Sequence, residues 1–161
     1  MKRVASFVAV AVAGMGTGAV LTVAGGAAAA STSTLHVQEL ATYDTYVPVQ
    51  PLIGSKSQSN RGDMLAFNDK MVNPGGTTSI GNVRGTCTQV APTASLFYCS
   101  VAFTVTGKGQ IFGTGLFDAT GKHTTVGEVT GGTGVYDLAR GTVKVKALSP
   151  SKNDFVFTLS R

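Results

Sequence analysis

Val129-Thr130-Gly131-Gly132-Thr133-Gly134-Val135-Tyr136-Asp137-Leu138-Ala139-Arg140-Gly141 places three glycines within four residues. Each would cost about 1 kcal/mol against alanine in a helix interior, whereas a sharp reversal between strands makes use of their freedom at positive φ. The chain on both sides reads as strand, Phe112 to Phe117 before the turn and Thr142 to Leu148 after it. The stretch is therefore a hairpin connection, and it sets an all-β frame for the rest.

Working outward, no window after residue 30 carries helical periodicity. Runs of period two recur between Gly, Pro, Asn and Ser clusters. They predict eight strands, at 35–46, 64–68, 79–90, 96–106, 110–117, 123–130, 142–148 and 154–160, with a loop at 47–60. Nearly all the connections are too short for parallel crossovers. A helix-free antiparallel meander most simply removes its unpaired edges by closing, which predicts an eight-stranded antiparallel β-barrel; a two-sheet sandwich fits the same periodicity. Val143, Val145 and Ala147 share one face with Phe155, Phe157 and Leu159, while Thr142, Lys144 and Lys146 take the other. Gly81, Gly85, Gly113 and Gly115, inside strands, mark bends or close approaches in a small barrel.

The first thirty residues read differently. Met1-Lys2-Arg3 is a basic start, Val4 to Val23 is apolar and uncharged, and Ala28-Ala29-Ala30 precedes Ser31. This predicts a cleaved signal peptide over 1–30, a secreted single domain over 31–161 and no stable membrane insertion after cleavage; an uncleaved anchor is the alternative. Of 13 basic and 8 acidic residues, Lys2 and Arg3 leave with the peptide, so the net charge falls from +5 to +3. The remaining basic residues are scattered, which gives no support to nucleic-acid binding. Cys87 and Cys99 flank a midpoint at residue 93, in the turn Pro92-Thr93-Ala94. In a hairpin closed there they lie opposite one another, so a disulfide is expected in an oxidising compartment; two buried thiols are the alternative. His36 and His123 are too isolated to argue a metal site or a triad. Arg61-Gly62-Asp63 spells an adhesion tripeptide but stands where a strand opens, and we read it as coincidence.

Four segments carry a resemblance. Val37-Gln38-Glu39-Leu40, Gly62-Asp63-Met64-Leu65-Ala66-Phe67-Asn68-Asp69, Ile80-Gly81-Asn82-Val83-Arg84-Gly85 and the glycine turn resemble, in order, the allene oxide cyclase and dirigent barrel superfamily. The resemblance implies an antiparallel barrel with an apolar cavity, often assembled as a homotrimer, acting on hydrophobic reactive intermediates without a metal or an organic cofactor. Catalysis there is chiefly orientation of a flexible substrate, with a few polar groups for proton work. Asp44 falls where relatives have an acidic group at the cavity, a carboxylate whose pKa an apolar barrel would raise. Arg140 matches the arginine after the glycine turn in dirigent proteins, and Asp137 is near a position acidic in some of them. Asp44, Arg140 and Asp137 are thus the catalytic candidates. Asp69 falls where cyclases have a substrate-binding asparagine, and Cys87 where they have a cavity cysteine. Tyr46, Asp69, Phe67 and Phe117 are the ligand-binding candidates, with core packing as the alternative for the aromatic ones. A bonded Cys87 and the unmatched loop after Asp44 argue against true allene oxide cyclase activity. The reading is a secreted barrel that binds a hydrophobic small molecule and directs a cyclisation or coupling, as an isomerase would. Its alternative is a non-catalytic carrier or a structural barrel.

Overall fold

The computed structural model describes residues 31–42, 44–49 and 60–160. The expected signal peptide and most of the 47–60 loop lie outside these residues. Nine strands are present: β1 (Thr32–Leu40), β2 (Asp44–Val47), β3 (Met64–Val72), β4 (Ser79–Ala91), β5 (Leu96–Val105), β6 (Gly109–Asp118), β7 (Thr125–Gly132), β8 (Arg140–Ser149) and β9 (Lys152–Ser160). Each of β3 to β8 pairs antiparallel with the next, β9 pairs with β1, and β1 returns to β3 through Gln38, Glu39 and Leu40. Eight strands therefore close into the expected barrel, and β2 extends it along β3. A sandwich is ruled out because the hydrogen-bonded ring has no gap.

The expected first strand, 35–46, divides in two. Leu40 opposes Lys70 and Asp44 opposes Phe67, so four steps along one chain answer three along the other, the count of a β-bulge. Asp69 holds the irregularity: its Oδ1 accepts from the Thr42 backbone N–H at 2.6 Å and from Thr42 Oγ1 at 3.2 Å. An inward carboxylate thus takes donors that the ladder would otherwise use.

Connections in an antiparallel ring alternate between its ends, so the turns after β3, β5 and β7 share one end. That end is packed shut. Phe103 meets Phe155 and Phe157 edge to face, with ring centroids 5.0 and 4.9 Å apart, above fully buried Met71, Val83 and Ile111. The glycine-rich turn folds beneath them as a short 3-10 segment, Gly134–Tyr136, and brings Tyr136 and Ala139 into the core. The reversal read from its glycines is present, and it also acts as a stopper.

At the other end, Cys87 and Cys99 face each other across β4 and β5 and form a disulfide. No described cysteine is free. The bond closes a short loop, and the double Ser variant is expected to lose about 2–3 kcal/mol by restoring freedom to the unfolded chain. Urea unfolding of the variant beside the oxidised parent measures this; equal midpoints would show that the bond adds no stability.

Candidate functional site

Above the aromatic plug the lumen is open. Inward positions on β6 and β7 are Gly113, Gly115 and Gly127, and the wall that bears no side chains leaves a cavity of about 210 Å³. Phe67, Phe97, Val101, Phe117 and Phe155 line it, with the Cys87–Cys99 disulfide beside them. The cavity lies toward the end where β1 stops and β3 starts. Its floor is the same Phe103 that caps the core.

Glu39 is one of two nearly fully buried acids that line this space, with Asp69. It alternates with Val37 on the inner face of β1, only 4% exposed, directly opposite Asn153 of β9. Asn153 Nδ2 donates to its Oε2 at 2.6 Å, while Oε1 meets no donor. Burial, opposed by the Asn153 hydrogen bond and reinforced by the charges of Asp69 and Asp44, pushes its carboxyl up to about 7. Asp69, 3% exposed, is fixed by Thr42 at the bulge. Asp44 stands at the mouth, exposed, with its pKa raised by burial of part of the carboxyl and by Asp69. Among the described residues no group of three His, Cys, Asp or Glu side chains is arranged to hold a metal ion.

Of the residues singled out from sequence, Asp44, Asp69, Phe67 and Phe117 line the cavity, as does the half-cystine Cys87. Tyr46 does not. Its hydroxyl donates to Asp63, a hydrogen bond that pushes the phenol up to about 12. Burial would raise the Asp63 carboxyl, but the Asn60 and Val49 backbone N–H groups and Tyr46 together hold it below the usual carboxylate range. This cluster pins the chain before β3 rather than facing a ligand.

Arg140 and Asp137 are not brought together with Asp44. They sit at the plugged end, where β7 turns into β8, exposed and outside the cavity. Arg140 Nη1 donates to the Ala139 carbonyl at 2.8 Å, and Asp137 Oδ1 accepts from the Leu138 N–H at 3.1 Å. The reason is parity: Asp44 follows the first passage of the ring, whereas Arg140 opens a strand that starts from the opposite end. Sequence reasoning misses Glu39 and Asn153. A signal for Glu39 is present, a carboxylate on the same strand face as Leu35 and Val37.

No protein-family model matches the sequence, and no curated protein is significantly similar to it. Solved structures do match. A pyocyanin demethylase superposes with a TM-score of 0.64 at 22% identity, over 79% of this chain and 99% of that one. A pterocarpan synthase dirigent protein gives 0.64 at 14% identity, over 81% and 94%. An exo-specific intermolecular Diels–Alderase gives 0.59 at 14%, over 81% and 99%. At these identities the likeness is one of fold: the chain has the barrel found in dirigent proteins and in cyclising barrels.

Proposed function

We propose that this chain, a barrel of the fold shared by dirigent proteins and Diels–Alderases, holds a small hydrophobic molecule in its half-open lumen and directs its ring closure or coupling. The single observation behind this reading is a phenylalanine-lined cavity into which a buried carboxyl, Glu39, is turned. Confinement in one folded conformation supplies the orientation that such reactions need. Glu39 supplies the proton step: a group that titrates near the working pH gives or takes a proton with least penalty. Asn153 orients that carboxyl, the charge of Asp69 helps to keep it protonated, and Asp44 stands at the entrance. Arg140 and Asp137 have no part in it.

The disulfide and the expected signal peptide support export, since such bonds persist in oxidising compartments. No described helix is long and apolar enough to cross a membrane. On the outer wall, Val47, Met64, Tyr98 and Leu116 are exposed and joined by the strand register into one row. That row is where an assembly through outer barrel faces would pack.

Indole is a suitable neutral probe of the lumen. Methyl NMR signals of Val101, Val143 and Val145 are expected to move in a saturable way on titration, and Val101→Trp should abolish the response by filling the space. Shifts confined to outer-face methyls, or no saturation at millimolar indole, would remove the cavity reading. Product diastereomer ratios of a spontaneously cyclising triene, altered by the parent and not by Val101→Trp, would establish the directing role. Binding with unaltered ratios would leave a carrier.

A further inference from the structure

The cavity is walled mostly by carbon, yet every charged side chain that lines it among the described residues has the same sign. Glu39, Asp44 and Asp69 come from β1, β2 and β3, three neighbouring segments, and among the described residues no Lys, Arg or His lines the space. Cations stand next to these acids in the chain but on the other face of the pleat: Lys70 and Lys152 both oppose Leu40, one residue from Glu39 and beside inward-facing Asp69 and Asn153. Around the cavity the register thus turns Glu39 and Asp69 inward and the adjacent lysines outward. Carboxylates in apolar surroundings call for a counter-charge, and Oε1 of buried Glu39 meets no donor. Facing the acids are the rings of Phe67, Phe103, Phe117 and Phe155. Aromatic faces beside carboxylates form the surroundings in which an organic cation is stabilised by both ring quadrupole and charge.

We propose that the lumen is selective for organic cations: it takes a small apolar molecule carrying a protonated or quaternary nitrogen, with that nitrogen among Glu39, Asp44 and Asp69 and its body against the phenylalanines. This rests on the cavity reading above and adds the substrate class to it. The cavity of about 210 Å³ is smaller than the roughly 300–1,000 Å³ usual for drug-sized ligands, so the guest is of single-ring size or projects from the mouth. Anionic molecules such as fatty acids are disfavoured, because their carboxylate would meet the charges of Asp44 and Asp69 and, once it is ionised, of Glu39.

Three benzyl probes of different charge test this on the protein as it stands: benzyltrimethylammonium, its neutral isostere neopentylbenzene, and the smaller anion phenylacetate. At pH 8, methyl NMR titration is expected to give at least about tenfold tighter binding of the ammonium than of the isostere, and no saturation by phenylacetate. The groups facing Glu39 are Asp69 from β3, Asp44 from β2 and the uncharged Asn153 from β9. As Glu39 takes up its proton between pH 8 and pH 6, ammonium affinity should fall several-fold while that of the isostere stays level. Asp69→Asn, which still accepts from Thr42, should weaken the ammonium about tenfold and leave the isostere within twofold; Glu39→Gln should give the same split if the first variant fails to fold. Equal binding of cation and isostere, or phenylacetate the tightest of the three, overturns the charge preference and leaves the cavity standing. Failure of all three to bind overturns the cavity reading itself, and the preference with it.

Discussion

Glu39→Gln is expected to stabilise the barrel at pH 8 by about 3 kcal/mol and to change it by only a few tenths of a kcal/mol at pH 4. The folded protein pushes this carboxyl from 4.5 up to about 7, so between those values the native state holds more protons than the unfolded chain. Stability then falls as pH rises through that window, by about 1.4 kcal/mol per pH unit, and levels off once Glu39 is ionised in both states. Glutamine has the shape of the protonated acid. Its oxygen keeps the Asn153 hydrogen bond, and its amide can donate to Asp69. The variant therefore lacks the ionisation that penalises the parent. Urea unfolding of both proteins from pH 4 to pH 8 should show two profiles that diverge above pH 5, equivalent to roughly 10 °C in Tm at pH 8. Profiles that run parallel would mean that Glu39 ionises as an ordinary surface acid does, and the poised proton at the inner end of the cavity would have to be given up. A residue that weakens its own fold at neutral pH is what the exchange between stability and activity predicts for a working group.

A severe loss is expected at Gly141, where alanine should remove more than about 4 kcal/mol and leave no cooperative unfolding transition. Gly141 lies in the β8 ladder, paired with Val129 on one side and Leu159 on the other, with φ at +141°. A Cβ there would stand 1.9 Å from the Thr158 carbonyl oxygen and 3.0 Å from its carbon. Both are backbone atoms of the neighbouring strand, so relief requires opening the ring between β8 and β9. Gly107 provides the matched control. Its φ is +72°, yet nothing lies within 4 Å of an added Cβ, so alanine there meets only the left-handed backbone penalty of about 1 kcal/mol. Circular dichroism and thermal unfolding of the two variants measure the contrast. Equal stability in both would show that strand proximity at Gly141 is not what the register implies.

Antiparallel strands, a hairpin that joins Cys87 to Cys99, and an inward face bearing Val143, Val145, Phe155 and Phe157 are all legible in the sequence, because each depends on residues a few positions apart. The break after Leu40 is not. It depends on Asp69, which lies 27 residues beyond Thr42 and takes its backbone N–H. Among the site residues, Asp44, Asp69, Phe67 and Phe117 are legible, since alternation and strand position place them. Likeness of motif assigns Arg140 and Asp137 to the same end as Asp44, although counting passages around the ring puts them at the other end.

By itself, then, the chain determined its alternation and its turns, while closure over a sandwich was settled by the ring of pairings: a side chain's face in a strand follows from a period of two, and a reversal follows from glycine at positive φ. Only the tertiary structure decided that half the lumen is plugged and half open, because that depends on which side chains share a level after eight strands wrap with their stagger. Glu39 belongs to both accounts. Its face is written in its neighbours Leu35 and Val37, but its elevated pKa arises only where burial and two further carboxyls surround it. The cavity is therefore a property of the closed ring, in which strands distant along the chain set the dielectric and the charge that a local sequence cannot carry.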